Sequence, residues 1–544
     1  MAQSRLQVPV AYNPWLIPKM HKENLMKAAL TALLLLVLSP LVMATEPAAP
    51  GGAPDDAKAI PEAKSWTSQH ETRIGGRTIR YTATAGTLLM KNDADEPVAL
   101  FGYTAYTADG GDARKRPLMF AYNGGPGSAS LWLHMGVLGP QRAVATDAGF
   151  SPNGPFRRVD NEYSIIDEVD LVMIDPVGTG FSRPVGEGKG EDFWGVDQDI
   201  RSVSEFIVRY VTENGRWASP KFLLGESYGG MRSGGVAWHL LSKYNLALNG
   251  VILVSPFMTM ATGEAGVGID LPHVMFLPTF AATAWYHDAL ADKPADFEAF
   301  IDEVEQFAYR EYAPALLLGS RLDDRQRQSV LAKLARYTGL SEDYWDKANL
   351  RINEGRFTQE LLRGRAETVG RVDSRFRGDA VNLLAEQAFY DPMTTAIGPP
   401  FLAAFMDYYR SDLGVETDRE YVVSGELWKD WDWRHEQPNL NGFTLPFPNT
   451  LVDLGLAMKQ NPGMQVLIQQ GYFDLATPHL ATKYYIDQLD ITPGLRENIR
   501  LELYQAGHMM YIHAPSMAKY KQDLADFVRS SYNTSQSVVP PSSY

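Results

Sequence analysis

Gly225-Glu226-Ser227-Tyr228-Gly229 sets a serine between glycines directly after the short apolar run Lys221-Phe-Leu-Leu224. Small residues two before and two after a serine permit a sharp strand-to-helix turn that leaves the hydroxyl exposed. The first amides of the following helix then point to where an anion would form. Such a serine can attack an acyl carbon if a base takes its proton and a third group orients the base. Two later stretches offer these groups. Gln469-Gln-Gly-Tyr-Phe-Asp474 carries Asp474 just past an apolar run, and Leu503-Tyr-Gln-Ala-Gly-His508 carries His508 in the same position. Upstream, Asn123-Gly-Gly-Pro-Gly-Ser128 is a glycine-rich bend that lets backbone N–H groups approach a ligand closely. That bend can supply one oxyanion donor and the residue after the serine, Tyr228, the other. Each piece also has a plainer reading. The pentapeptide and the bend could be ordinary turns, Asp474 an Asx turn before Thr477-Pro478, and His508 a satisfied loop histidine.

The surrounding elements decide between these readings. Thr78-Ile-Arg-Tyr-Thr-Ala-Thr alternates, and Pro97–Tyr106 is rich in strand formers. Pro117–Tyr122 runs straight into the glycine bend, and Asp170-Leu-Val-Met-Ile-Asp175 has the near-continuous apolarity of a strand buried on both faces. Ile200, Val203, Phe206, Ile207, Tyr210 and Val211 share one stripe, which predicts a helix over about 196–214. A strand at 221–224, the serine turn, a helix to about Tyr244 and a strand at 250–255 follow. Strands alternating with helices predict a parallel α/β sheet. The alternation breaks between about 260 and 445, where the pattern is mostly helical, and sheet-like text resumes at Gly463–Gly471 and Ile499–Tyr504. The expectation is an α/β-hydrolase fold in two parts, 64–260 and 446–530, interrupted by a helical cap insertion at 261–445. The order Ser227, Asp474, His508, each at a strand exit, is the order of that fold.

Five motifs together resemble the serine carboxypeptidases, peptidase family S10: Asn123–Ser128, Asp175-Pro-Val-Gly-Thr-Gly-Phe-Ser182, Gly225–Gly230, Gly471-Tyr-Phe-Asp474 and Gly507-His508. The resemblance spans about 75–530 and implies an exopeptidase that removes C-terminal residues from peptides. Ser227 would be the nucleophile, His508 the general base and then acid, and Asp474 its orienting partner. The amides of Gly125 and Tyr228 would form the oxyanion hole. Asn123, Gly124 and a protonated Glu226 would bind the substrate's free carboxylate. One departure stands out. The family has a second glutamate just before Leu-Gly-Pro, and here Val137 precedes Leu138-Gly-Pro140. Half of the carboxylate-binding pair is therefore missing. An esterase or acyltransferase using the same three residues, or a catalytically silent binding protein, are the competing readings.

Bulk properties close off other classes. The 544-residue chain is 45% hydrophobic and 21% charged, a globular composition, and its net charge of −15 argues against nucleic acid. Arg114-Lys115-Arg116 reads as a solvated turn. The absence of cysteine removes disulfides and thiolate sites, and His239, His273, His287, His479 and His513 lack metal-ligand spacing, so no metal or cofactor is expected. Lys19, Lys22 and Lys27 precede the apolar run 28–44, which ends in Val42-Met43-Ala44. That pattern predicts a cleaved signal peptide over 1–44, with translation starting at Met20 or Met26 as an option, and a secreted or periplasmic protein. Residues 45–63 read as a disordered leader and 531–544 as a flexible tail. The charges of Val369-Gly-Arg-Val-Asp-Ser-Arg-Phe376 read as salt bridges within the cap.

Overall fold

A ten-stranded sheet crosses the molecule in the computed structural model, which describes residues 60–151 and 153–532. The expected signal segment, leader residues 45–59 and tail residues 533–544 lie outside the described residues. Residues 531 and 532 belong to the last helix, Ala514–Tyr532.

The strands are β1 (Ser65–Ile74), β2 (Arg77–Lys91), β3 (Pro97–Ala108), β4 (Leu118–Tyr122) and β5 (Asp170–Asp175). They continue as β6 (Lys221–Glu226), β7 (Gly250–Val254), β8 (Gln465–Gly471) and β9 (Ile499–Tyr504). Their order is β1-β2-β3-β5-β4-β6-β7-β8-β9, and the two-residue strand Arg183–Pro184 pairs with β3. β1, β2 and β3 form an antiparallel flank, and β3 meets β5 antiparallel. Every pairing from β5 to β9 is parallel. β4 to β7 are buried along their whole length, which is why their text is continuously apolar rather than alternating.

Helix α1 (Val196–Glu213) turns the predicted stripe onto the sheet, with Phe206 5.0 Å from Phe101 ring to ring. Helix α2 (Tyr228–Tyr244) lies beside it. A Cβ at Gly235 of α2 would stand 2.1 Å from Ile200 Cδ1, so glycine is what lets the two helices approach. Sequence and structure differ within the insertion. It is helical in Leu271–Tyr286, Phe297–Phe307, Asp324–Thr338 and Pro392–Asp407, but 413–450 runs as turns, short 3-10 segments and the paired strands His435–Glu436 and Thr444–Leu445. Gly414, Gly425, Gly442 and the prolines 438, 446 and 448 break helical periodicity there. The parallel sheet with a serine turn at the end of its central strand β6 is the α/β-hydrolase arrangement.

Candidate active site

β6 ends at Glu226 and α2 begins at Tyr228, so Ser227 alone makes the turn, at φ +62° and ψ −125°. A non-glycine residue held there costs of order 1–3 kcal/mol, which the neighbouring structure must offset. Three hydrogen bonds fix it: Ser227 N–H donates to Val254 O at 2.9 Å, and the amides of Gly230 and Phe257 donate to Ser227 O at 2.8 and 2.9 Å. The chain doubles back so tightly that a Cβ at Gly225 would lie 2.2 Å from Gly229 O. The Ser227 hydroxyl has no protein hydrogen-bond partner among the described residues and lines the same cavity as His508.

Asp474 and His508 leave the ends of β8 and β9. His508 Nδ1 is 2.7 Å from Asp474 Oδ2. Asp474 is fully buried, and its remaining lone pairs are filled by the amides of Ala476 and Thr477 and the side chains of Gln470 and Thr477. With Nδ1 committed, Nε2 is the nitrogen left for Ser227, and in an unliganded site such a bond commonly tightens only when substrate enters. Burial works against protonating His508. The charge and hydrogen bond of Asp474, with Glu226 behind them, outweigh burial and hold the imidazole above its ordinary range.

The loop after β4 packs onto the elbow. A Cβ at Gly124 would lie 2.5 Å from Tyr228 N and 2.8 Å from Gly229 N. Gly125 takes φ +103°, and among the described residues neither its amide nor that of Tyr228 donates to another group. Two free amides beside the hydroxyl are what an oxyanion requires. Asn123 Nδ2 donates to Glu226 Oε1 at 2.7 Å, and Asn123 Oδ1 accepts from Leu133 N. Tyr511 Oη donates to Glu226 Oε2 at 2.8 Å. Glu226 is buried, and that desolvation pushes its carboxyl up to about 7, against the pull of His508, Tyr511 and Asn123. Val137 is buried among apolar side chains and contributes no carboxyl.

The structure thus gathers all eight residues expected from the sequence. It adds three features that the sequence did not reveal. Arg232 of α2, paired with Asp199 at 2.6 Å in the interior, donates to Asn123 O at 2.7 Å and anchors the glycine loop. Tyr511 is the second. The third is the segment 371–376, expected as cap salt bridges. Arg375 does pair with Asp373 and Asp147, at 2.6 and 3.1 Å. The same stretch also braces the loops that carry Asp474 and His508: His508 N–H donates to Val372 O, Leu475 N–H to Arg371 O, and Ser374 N–H to Phe473 O. Arg116 corrects another expectation, because it pairs with Asp170 at 2.7 Å instead of being a solvated turn residue.

The cavity over Ser227 has a volume of about 700 Å³. Trp132, Phe257, Phe276, Trp428 and Trp433 give it apolar walls, and Glu264, Glu354 and Arg371 place charge on it. Among the described residues no group of three or more His, Asp or Glu is placed to hold a metal, and no helix is long and apolar enough to cross a membrane.

Residues 79–268 match a family model described as serine carboxypeptidase. That span holds Asn123, Gly124, Gly125, Glu226, Ser227 and Tyr228 and stops short of Asp474 and His508. No curated protein matches the chain. Similar solved structures include proline iminopeptidase from Mycobacterium smegmatis, at 14% identity and TM-score 0.33, covering 85% of this chain and 98% of that one. A soluble variant of monoglyceride lipase from Saccharomyces cerevisiae, in complex with a substrate analogue, matches at 11% identity and TM-score 0.33, covering 82% and 94%. Likenesses at this level say nothing about substrate.

Proposed function

We propose that this chain, related to the serine carboxypeptidases over residues 79–268, is a serine hydrolase that releases C-terminal residues from peptides. In this reading His508 Nε2 takes the Ser227 proton as Oγ attacks the last peptide carbonyl. The amides of Gly125 and Tyr228 donate to the oxyanion. When the intermediate collapses, His508 gives the proton to the leaving amine, and the terminal amino acid departs. Water, deprotonated by His508, then attacks the acyl-enzyme, releasing the shortened peptide and returning the proton to Ser227. Asp474, bonded to His508 Nδ1 at 2.7 Å, steadies the imidazolium.

One observation carries the choice of peptide termini over other acyl groups. Glu226, next to the nucleophile, is a buried carboxyl whose burial pushes it up to about 7 and which is bonded to Asn123. A neutral carboxyl and an amide are the groups that can donate to a substrate carboxylate without repelling it. The esterase or acyltransferase reading draws support from Val137, which leaves the expected second carboxyl absent. Peptide pairs differing only in a free or amidated C-terminus decide between them. Strong preference for the free acid is expected, and equal cleavage of both would remove the carboxypeptidase reading.

A further inference from the structure

Tyr511 lies three residues after His508, in the short turn Met510–Ile512 that follows the catalytic loop. Its ring is fully buried, and its hydroxyl donates to Glu226 Oε2 at 2.8 Å. The ring is seated against Gly136, where a Cβ would come within 2.3 Å of it, so a glycine at that position is what admits it. Gly136 immediately precedes Val137, the position at which the resemblance places a second glutamate. With Asn123 on Oε1 and Tyr511 on Oε2, both oxygens of Glu226 are held.

We propose that Tyr511 is a positioning residue for recognition of the substrate's terminal carboxylate, acting through Glu226 and doing the orienting work that a second acidic residue would otherwise do. The inference rests on the carboxypeptidase reading and deepens it. A lone buried carboxyl can rotate about its last torsion, and a terminal sp² torsion is broad. Two fixed donors hold the Glu226 plane, so that its own proton, when present, is presented in one direction. A hydroxyl suits this place better than a second acid in one respect, since it adds no charge beside an incoming anion. Tyr511 also shares a loop with His508, which couples the recognition group to the base.

Charged and titratable groups around Glu226 are His508 and Asp474 from the catalytic loops, Tyr511 itself and Tyr520 from the last helix. The Tyr511 hydrogen bond favours the ionised carboxyl, so removing it moves Glu226 further upward.

The test is Tyr511→Phe, which keeps the ring and therefore the packing against Gly136, with folding checked by near-UV circular dichroism. kcat/KM is measured from pH 4 to 9 on an N-blocked dipeptide and on its C-terminal amide. The expected result is a severalfold fall, up to about tenfold, in the acid-to-amide ratio below pH 7, the scale of one hydrogen bond between neutral groups, carried mainly by KM. The alkaline limb for the free acid should move to higher pH, and in a Glu226→Gln background the second substitution should move no limb. If the parent enzyme discriminates and Tyr511→Phe retains both ratio and limb, the role of Tyr511 is wrong and the carboxypeptidase reading stands. If the parent enzyme cleaves acid and amide alike, both fail together.

Discussion

Replacing Glu226 by glutamine separates hydrogen-bond donation from titration, and the structure fixes what should follow. The Glu226 carboxyl is buried and pushed up to about 7, from an ordinary value of 4.5. On the proposed reading the protonated form receives the substrate carboxylate, so the free-acid reaction of the parent enzyme should decline above pH 7. At pH 8 only about a tenth of Glu226 carries its proton, and kcat/KM should fall in proportion. A glutamine amide donates at every pH, so in Glu226→Gln that decline should vanish. The acid limb should move as well. The Glu226 charge helps to raise His508, and without it the imidazole becomes neutral, and competent as a base, at lower pH. Stability gives an independent reading. A carboxyl whose folded value is raised contributes fully below its unfolded value of 4.5 and loses that contribution as pH climbs through 7. The loss is about 3 kcal/mol at 1.36 kcal/mol per pH unit. Glutamine carries no such loss. Chemical denaturation should therefore find Glu226→Gln gaining on the parent by up to that amount between pH 4 and pH 8. Two pH–rate profiles of the same shape, with a stability difference independent of pH, would refute the assignment of a neutral Glu226 to carboxylate recognition.

Other outcomes follow from the same geometry. Ser227→Ala should abolish turnover and labelling by a fluorophosphonate probe while leaving the thermal midpoint within a few degrees, because the hydroxyl makes no bond within the protein among the described residues. Gly225→Ala should be far more disruptive than its size suggests, costing roughly 1–3 kcal/mol in denaturant unfolding together with most activity, since its Cβ would meet the Gly229 carbonyl at 2.2 Å. His435, bonded to Asp197 at 2.6 Å and Asp453 at 2.9 Å, fastens the loop that carries Trp428 and Trp433 to the core. Burial works against its charge, but the two aspartates hold it up at about 9. Its contribution is therefore complete below pH 6.5 and lost as pH rises through 9. His435→Gln should destabilise by about 3 kcal/mol at pH 6 and much less at pH 9.5, measured by chemical unfolding.

What could be read in the sequence and what could not divide along a physical line. The Ser227 elbow, the exits of β8 and β9 and the Asn123 bend are local: strand apolarity, flanking glycines and one reactive side chain lie within ten residues, so the chemistry shows in the text. The helices α1 and α2 show for the same reason, through periodicity. The strand β1 does not, because it lies on the antiparallel flank with one face in solvent, and its residues Ser65–Ile74 are mostly polar. The support of the site is also hidden, since it is made between distant segments. Val372 and Arg371 act on the triad loops through backbone carbonyls, which every residue possesses. Their side chains could not announce the contact. Arg232 reaches Asn123 only because the elbow turns α2 back across the glycine loop, and no spacing encodes a fold-dependent meeting. Tyr511 lay three residues from His508 and was still illegible, because a buried tyrosine near a catalytic loop is ordinary core until its hydroxyl is seen against Glu226. The acyl chemistry is thus written in short motifs, whereas the selectivity proposed for a carboxylate terminus rests on contacts that only the tertiary structure makes. The substitution at Val137 would read from sequence as a loss of that selectivity, whereas on the proposed reading the Tyr511 hydroxyl takes up that role beside Glu226. On that reading, a chain that kept Ser227, Asp474 and His508 but placed a phenylalanine at 511 should retain the acyl chemistry and discriminate less between free and amidated termini.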